Sequence, residues 1–261
     1  MTSEPLSLTW AVRTNAGLRR GSNEDSFSTH PEIGLFIVAD GMGGHVAGEV
    51  ASRVAVESIA AFIEETAGAD RNRTWPFPFE PELSLEANRL KAAFKLANRR
   101  LAAAIADSQD LRGMATTASA VLHGKTASCV AHIGDSRVYV LREGELQQIT
   151  EDHSWVEEQV RAGTLTPSAA KQHPWRNVVT RALSGGDDPD IDVVEIKPIP
   201  GDRYLLCSDG LFGVVPDEEI AGILGDRTAT LEDICGRLID AANAAGGPDN
   251  ITAMVLQVDA P

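Results

Sequence analysis

Apolar runs that end at turn-forming residues predict the strands of this protein. Continuous apolar segments are typical of buried strands, and they cover residues 8–13, 35–39, 203–207 and 251–258. Shorter segments flank two glycine-containing turns, at 118–123 with 126–133 and at 138–142 with 146–149. Each pair predicts a hairpin, and therefore antiparallel pairing.

Helical periodicity predicts two long helices, at about 46–66 and 83–107. In the first, Val50, Val54 and Ala61 form the predicted apolar side. Shorter helices are predicted at 154–162, 167–172, 217–224 and 231–244. Because strands and helices do not alternate regularly, the pattern favours a layered α+β fold over a parallel doubly wound sheet. No repeat or linker divides the chain, so we expect a single domain over residues 1–261.

Composition and charge exclude several classes of protein. The 261 residues are 43% hydrophobic and 23% charged, which is an ordinary globular composition. The net charge of −15 would repel a phosphate backbone, and no basic cluster offsets it, so we expect no nucleic-acid partner. No apolar run reaches the ~18 residues that span a membrane, and residues 1–7 lack the layout of a signal peptide. We therefore expect a cytoplasmic protein.

Two further features predict core packing. Cys129, Cys207 and Cys235 lie far apart in apolar surroundings, which predicts reduced core thiols instead of disulfides or zinc ligands. The aromatic loop at 75–79 offers a surface for a partner, but folding back onto the two long helices is the simpler interpretation.

Acidic residues recur where the apolar strands end. They are Asp40, Asp135 and Asp209 after strands, Asp249 before the last strand, and Glu24-Asp25 after the loop that follows the first strand. Because strand ends meet at the edge of a buried sheet, these side chains can converge in one cleft.

Each acid alone has a simpler interpretation as a turn residue. Asp209-Gly210 is a favoured hairpin dipeptide, and Asp249 suits an Asx turn. Asp40-Gly41 fits a hairpin poorly, because residues 42–48 offer no returning strand. Like charges gathered in one cleft destabilise a fold unless cations neutralise them. Carboxylates and carbonyls suit Mg²⁺ or Mn²⁺, so the acids together predict a divalent-metal site.

The glycine-rich segment 40–45 does not match a nucleotide-binding motif. The third glycine of a dinucleotide fingerprint would fall at Val46, and no Gly-Lys-Ser/Thr follows. These glycines would instead let the backbone approach a metal ion, with Gly41 offering its carbonyl. Arg20 lies four residues before Glu24, and two roles are open to it: an ion pair with the acids, or a two-pronged clamp for a substrate phosphate.

The order of these motifs resembles that of the metal-dependent Ser/Thr protein phosphatases of the protein phosphatase 2C type. The resemblance rests on six segments: Arg20-Gly-Ser-Asn-Glu24-Asp25-Ser26, Asp40-Gly-Met-Gly-Gly-His45, Gly113-Met-Ala-Thr-Thr117, Gly134-Asp135-Ser-Arg137, Ser208-Asp209-Gly210 and Asp249-Asn250-Ile-Thr252. The segments at 152–155 and 173–183 resemble the flap of the bacterial branch, here at about 151–184. The resemblance implies a four-layer sandwich of two antiparallel β-sheets flanked by α-helices.

The resemblance also assigns metal ligands. Asp40 would bridge two Mn²⁺ or Mg²⁺ ions, and Asp209 and Asp249 would complete the first site. The Gly41 carbonyl and Glu24, partly through water, would serve the second.

Other site residues would support this centre. Asp25 would not touch the ions but would accept a hydrogen bond next to the metal ligands. Asp135 would hold a third, weaker ion together with Asp209. Arg20 would bind the phosphoryl oxygens, and Asn250 would orient Asp249 or its water.

The general acid is the one departure from the family pattern. Eukaryotic members place a histidine two residues after the bridging aspartate, where this chain has Met42, as bacterial relatives do. His45 or a metal-bound water is a candidate donor of the proton, and His153 in the flap is a more remote one. For both histidines, a purely structural role is an alternative.

The implied function is hydrolysis of phosphoserine and phosphothreonine in proteins by a water or hydroxide that bridges the two ions. Such an enzyme would oppose a cognate Ser/Thr kinase, and we expect it to be a monomer. A catalytically silent module that binds phosphoproteins or metals is the alternative. A calcium-stabilised structural domain would also keep the acids, but it would not need Arg20.

Overall fold

The structure is a computed structural model that describes residues 7–43, 46–68, 74–124 and 127–259. Its strands are β1 (Ser7–Asn15), β2 (Asp25–His30), β3 (Leu35–Met42), β4 (Ala115–Thr116), β5 (Ala118–His123), β6 (Ser128–Ile133), β7 (Arg137–Arg142), β8 (Glu145–Gln148), β9 (Asp192–Ile196), β10 (Arg203–Cys207) and β11 (Ile251–Asp259). Its helices are α1 (Val46–Glu65), α2 (Leu85–Asp107), α3 (Trp155–Arg161), α4 (Pro167–Lys171), α5 (Asp209–Phe212), α6 (Asp217–Leu224) and α7 (Leu231–Ala244).

The strands form two antiparallel sheets. The first has the order β1-β11-β10-β7-β8, and the second has the order β2-β3-β5-β6-β9, with the short β4 paired to β3. Every strand pair in the described ranges is antiparallel. The predicted α+β fold with two antiparallel sheets is confirmed.

Alternating side chains bury both faces of the central strands. On β3, Phe36 and Val38 lie in the core between the two sheets, whereas Leu35 and Ile37 belong to a core shared with α1 and α2. The outer face of the first sheet packs against α5, α6 and α7, where Leu205 of β10 contributes. Burial on both faces explains why these strands are continuous apolar runs. The result is the expected order of layers: helix, sheet, sheet, helix.

Most strongly patterned elements lie where the sequence places them. The strand β10 and the helices α6 and α7 begin and end at the predicted residues. The two predicted hairpins are β5–β6 and β7–β8. Of the predicted strand at 126–133, position 126 lies outside the described residues.

The sequence pattern does not predict the two edge strands of the second sheet or the two-residue β4. Both β2 and β9 lie at the ends of the second sheet, where one side has no partner strand and apolar alternation is weak. The only apolar residue of β2 is Phe27, which is 39% exposed. Pairing with β3 and β6, and not their own composition, holds these segments extended.

The boundaries at two of the acids also differ from expectation. The strand β3 does not end at 39 but continues through Asp40 to Met42, because β4 pairs with Gly41 and Met42. The dipeptide Asp209-Gly210 is not a hairpin turn and opens the short helix α5.

The predicted apolar side of α1 is correct only in part, because Val50 and Val54 pack against the core but Ala61 does not. The helix buries Ala51, Ala55 and Ile59, whereas Val50 is only partly buried and Ala61 is exposed. The helix packs against both the sheet and α2, and small residues allow this close approach on two sides. In a helix composed mostly of small and apolar residues, periodicity alone does not identify the buried side.

The predictions for the three cysteines and for the aromatic loop at 75–79 are confirmed. The three cysteines are free and buried. The aromatic loop folds back onto the long helices: Trp75 packs against Phe62 of α1, with ring centroids 6.4 Å apart, and the Arg99 guanidinium of α2 lies 4.1 Å from the centre of the Phe77 ring. In the described part of the chain, no helix is both long and apolar enough to span a membrane.

Candidate active site and metal centre

Asp40 is held at the edge of the second sheet by its backbone. Its amide donates to the Thr117 hydroxyl at 3.0 Å. Its carbonyl accepts from the Thr116 hydroxyl at 2.9 Å and from the Thr117 amide at 2.9 Å. Because β4 binds the backbone of Asp40, the carboxylate is left available for other partners.

Asp25 lies directly across the ladder from Asp40, because the two residues pair in the β2–β3 register. One oxygen of the Asp25 carboxylate, Oδ2, accepts hydrogen bonds from the Ser208 hydroxyl at 2.7 Å and from the Thr252 hydroxyl at 2.6 Å. The other oxygen, Oδ1, is buried and has no partner in the described part of the chain. Asp25 therefore joins the two sheets at the site and keeps an oxygen unused.

Asp209 and Asp249 come from the first sheet. Asp209 follows β10 at the start of α5, and Asp249 precedes β11. The two segments touch closely at Gly210, where a Cβ atom would collide with the Asn250 carbonyl. Only glycine allows this approach, which brings Asp209 beside Asp249. The Oδ1 atom of Asp209 is buried without a hydrogen-bond partner among the described residues.

Electrostatics shows that the acids share one site. Loss of solvent raises the pKa of Asp40 well above its usual value, and the charges of Asp25 and Asp209 raise it further. Asp135 and Asp249 add to this effect.

The same causes act on the neighbouring acids. Burial raises the pKa of Asp25 to about 7, with Asp209 and Asp249 contributing through their charges. Burial and then the charge of Asp249 raise the pKa of Asp209 to about 6. Burial and then the charge of Asp209 raise the pKa of Asp135 to about 8. Each of these acids therefore resists ionisation, first because it is buried and then because the other acids are near.

Glu24 and Gly41 lie where α1 meets the sheet. The Gly41 amide donates to the Glu24 carbonyl at 3.2 Å. A Cβ atom at Gly41 would collide with the Gly48 carbonyl, and a Cβ atom at Gly48 would collide with the Glu24 carboxylate. The two glycines let the helix approach the strand end, and Glu24 fills the space beside them.

Arg20 and Asn250 surround Asp249. Arg20 is half exposed, and its Nη2 donates to Asp249 Oδ2 at 2.7 Å. The Asn250 side chain accepts from the Glu24 amide at 2.8 Å and donates to the Ser22 carbonyl at 2.8 Å. Asn250 therefore fixes the loop that carries Arg20 and Glu24, which is a broader role than orienting Asp249.

The donor set fits hard divalent cations. The charges of four aspartates act on Asp40, and the Glu24 carboxylate lies beside Gly48. Two buried carboxylate oxygens lack partners, and Arg20 is the one cation that is hydrogen-bonded to these acids among the described residues. Buried, mutually repelling carboxylates need a compensating charge, and oxygen ligands select Mg²⁺ or Mn²⁺.

Of the two histidines that are candidate general acids, the structure describes only His153. His45 lies outside the described residues. His153 is fully buried, and both of its ring nitrogens have partners, Gly134 and Asp192. A side chain closed in this way has no path to a leaving group, so the interpretation of His153 as a general acid is wrong.

Several residues that hold the acids were not predicted from the sequence. These are Thr116 and Thr117 on Asp40, Ser208 and Thr252 on Asp25, and Gly48 beside Glu24. The four hydroxyl-bearing residues lie inside the family motifs at 113–117, 208–210 and 249–252. Their place in these motifs could have indicated a role at the site. Gly48 carried no such signal, because a contact between α1 and β2–β3 is visible only in three dimensions.

The fold and sequence match those of known phosphatases. A model of the protein phosphatase 2C family matches residues 18–246. The chain is 39% identical over 259 residues to the serine/threonine protein phosphatase PstP of Mycobacterium tuberculosis, which covers 99% of this chain and 46% of that protein. The chain thus spans about half the length of this relative. It is 35% identical over 253 residues to the serine/threonine phosphatase stp of Listeria monocytogenes, covering 95% of this chain and 94% of that one.

A solved structure supports the same assignment. The crystal structure of the catalytic domain of PstP in complex with two manganese ions matches this chain with a TM-score of 0.80 and 39% identity. The match covers 97% of this chain and 99% of that one. The family model, the identity over nearly the whole chain and the shared architecture agree, and this chain belongs to the protein phosphatase 2C family.

Proposed function

We propose that this chain is a metal-dependent phosphoprotein phosphatase that hydrolyses phosphoserine and phosphothreonine and so opposes Ser/Thr protein kinases. The observation that carries the proposal is the convergence of aspartates from both sheets, with buried oxygens of Asp25 and Asp209 left without partners. Family membership supports the same activity.

The ligands would divide between two Mn²⁺ or Mg²⁺ ions. Asp40 would be shared by both ions, with Asp209 and Asp249 on one and Glu24 and the Gly41 carbonyl on the other. When bound, such ions acidify a water and neutralise charge on a phosphoryl group. Asp135 would bind a third, weaker ion together with Asp209.

Other residues of the chain position the reactants. Arg20 keeps guanidinium N–H groups beyond its single bond to Asp249, and these would bind the phosphoryl oxygens. Asp25, fixed by Ser208 and Thr252, would accept a hydrogen bond from a water at its free oxygen. The proton for the leaving serine or threonine oxygen would come from His45 or from water.

We also propose a domain organisation, a location and an oligomeric state for the whole chain. One catalytic domain over residues 1–261 with a flap at about 151–184 is supported by two sheets that share a central core. We further propose a cytoplasmic monomer with a cognate Ser/Thr kinase. Light scattering would measure the mass, which is 27.8 kDa for a monomer.

The alternative of a silent binding module has weaker support. Such a module would have no physical reason to keep repelling acids together with Arg20, because the acids cost stability when no cation is bound. A calcium-stabilised domain likewise gives Arg20 no role.

Phosphate release from short phosphoserine and phosphothreonine peptides tests the proposal. We expect release with Mn²⁺ or Mg²⁺ and none in excess chelator. Metal binding without turnover would favour the silent module, stabilisation by Ca²⁺ alone would favour the structural domain, and full activity in chelator would overturn the mechanism.

A further inference from the structure

The two ends of the flap meet in a neck formed by residues 152–154 and 178–183. In this flap neck, the Thr180 amide donates to the His153 carbonyl at 2.8 Å, and Ser154 pairs with Val179. Leu183 pairs with Thr116, the residue whose hydroxyl binds the Asp40 carbonyl. The flap neck thus lies beside the backbone that holds the acidic centre.

The side chain of His153 connects this neck to the turn that carries Asp135. His153 is fully buried. The Gly134 amide donates to its Nδ1 at 3.1 Å, and the His153 amide donates back to the Gly134 carbonyl at 2.8 Å. On the other side of the ring, Nε2 lies 3.0 Å from Asp192 Oδ2.

These contacts settle the tautomer of His153. A backbone amide can only donate, so Nδ1 is the acceptor and the neutral ring carries its proton on Nε2. That proton is donated to Asp192, whose other oxygen accepts from Arg181 of the flap neck at 3.1 Å. Burial lowers the pKa of His153, consistent with a ring that stays neutral.

The same tautomer argues against a metal site at this cluster. His132, His153 and Asp192 bring potential ligand atoms within 4.8 Å of one another. Both ring nitrogens of His132 are buried without hydrogen-bond partners in the described structure. However, Nδ1 of His153 is occupied by the Gly134 amide and Nε2 is protonated, so His153 has no lone pair left for an ion. Its ring packs on His132 instead, with centroids 4.3 Å apart.

A second contact holds the other end of the turn. Arg137 on β7 donates from Nε to Asp152 Oδ1 at 2.9 Å and from Nη2 to Asp152 Oδ2 at 2.7 Å. Adjacent residues of the flap neck therefore hold the turn on both sides of Asp135, at Gly134 and at Arg137.

The turn also packs closely against the residue that holds Asp40. Gly134 has a φ of +104°, and a Cβ atom there would collide with Thr117, whose hydroxyl accepts from the Asp40 amide.

We propose that His153 is a positioning residue that, through Nδ1 and the Gly134 amide, holds the Asp135 carboxylate beside Asp209. This inference rests on the proposed function, since Asp135 matters for catalysis only if the centre binds metal. Residues that orient a metal ligand without touching the metal typically change affinity or activity by about 10–100-fold.

Two substitutions separate the nitrogens of His153. In His153→Asn, the side-chain oxygen lies near the position of Nδ1 and can still accept from the Gly134 amide. In His153→Gln, the side-chain nitrogen lies near the position of Nε2 and can still donate to Asp192. His30→Gln, at a histidine on the edge strand β2, controls for general effects of losing an imidazole.

Three readouts test the pair of variants: the Gly134 amide resonance in metal-free ¹⁵N-labelled protein, calorimetric Mn²⁺ binding, and the dependence of kcat on Mn²⁺. For His153→Asn, we expect a resonance close to that of the unsubstituted protein and nearly full activity. For His153→Gln, we expect a shifted resonance, unchanged tight ions, and a loss in weak-ion affinity and kcat of about tenfold or more. Asp135→Ala should lose kcat in the same way.

Equal behaviour of the two variants in binding and kcat, whether both active or both impaired, would overturn the inference. An unshifted Gly134 resonance in His153→Gln would also overturn it. If the unsubstituted protein releases no phosphate with any metal, the proposed function fails instead, while the resonance and the weak-ion affinity still test the role of His153.

Discussion

At the scale of single residues, the centre consists of acids that the fold keeps close despite their repulsion. Asp40 and Asp209 come from different sheets, yet they lie close enough that the charge of Asp209 raises the pKa of Asp40. Hydrogen bonds from Thr116, Thr117, Ser208 and Thr252 fix the backbone of Asp40 and one oxygen of Asp25, and leave other oxygens available. Such groups stay together in a protein core only when a bound cation or bound protons compensate their charge.

Loss of one shared acid should nearly abolish turnover. We expect Asp209→Asn to lower kcat by about 10²–10⁴-fold, because a missing ligand removes several kcal/mol of charge stabilisation. Asp110→Asn, at an exposed acid outside the site, is the control and should leave kcat unchanged. Steady-state phosphate release at saturating Mn²⁺ measures both, and a variant that keeps normal kcat would exclude Asp209 as a ligand.

Arg20 should act mainly on substrate binding. It is half exposed, and among the described residues it makes one ion pair, with Asp249. An ammonium cannot reproduce a two-pronged contact with phosphate, so we expect Arg20→Lys to raise KM by about tenfold, the scale of one lost charged hydrogen bond. Arg19→Lys, at the exposed neighbouring arginine, should change nothing. Unaltered KM and kcat would leave Arg20 as an ion-pair residue only.

At the scale of elements, two packed segments build the site. The helix α1 lies so close to the end of β3 that Gly41 and Gly48 are in direct contact, and Glu24 lies against Gly48. The start of α5 touches the residue before β11 through Gly210 in the same way. Glycine at these contacts is required by space and not by backbone dihedral angles, since none of the three has a positive φ.

Gly48→Ala should displace the Glu24 carboxylate, because this is the group that the added Cβ atom would meet, whereas the nearest backbone atom, Gly41 C, is 3.1 Å away. We expect weaker Mn²⁺ binding, and a free energy of unfolding that does not show the gain of about 0.5–1 kcal/mol that alanine gives over glycine inside a helix. Gly222→Ala in α6 is the matched control, because its Cβ atom meets nothing within 4 Å. It should stabilise the protein by about 0.5–1 kcal/mol. Denaturant unfolding and calorimetry measure both variants, and a Gly48→Ala protein with unaffected Mn²⁺ binding would contradict the packing account.

The elements that the sequence predicts best are those buried on both faces, such as β10, or those with strong helical periodicity, such as α7. The edge strand β2 was not predicted because its extended shape comes from a neighbour: it has one apolar residue and still pairs along its whole length with β3. The positions of the acids at strand ends indicated a site. The resemblance supplied their roles, and only the three-dimensional structure placed Gly48 against Glu24 and His153 against Gly134.

At the scale of the whole molecule, the acids link metal binding to stability. Six carboxylates, from Glu24, Asp25, Asp40, Asp135, Asp209 and Asp249, account for six of the fifteen excess negative charges of the chain. Two divalent cations would restore four charges. A ligand that binds only the native state stabilises it, so Mn²⁺ should raise the melting temperature.

The metal-free protein should lose stability as pH rises. Folded pKa values of about 7 for Asp25, about 6 for Asp209 and about 8 for Asp135 lie above the ordinary 3.8. Between about pH 4 and pH 8 the native state therefore binds more protons than the unfolded state, and the free energy of unfolding falls with pH. Added Mn²⁺ should reverse or flatten this slope.

Denaturant unfolding across this pH range, in chelator and with Mn²⁺, measures the effect. A metal-free protein whose stability rises from pH 4 to pH 8 would show that the acids are not held together as described.

The most direct test of the central claim is an anomalous difference map from crystals grown with Mn²⁺ and measured at the manganese absorption edge. The account predicts two strong peaks that share Asp40, one beside Asp209 and Asp249 and the other beside Glu24 and the Gly41 carbonyl. No peak among these residues, or peaks at His132, His153 and Asp192 instead, would contradict it.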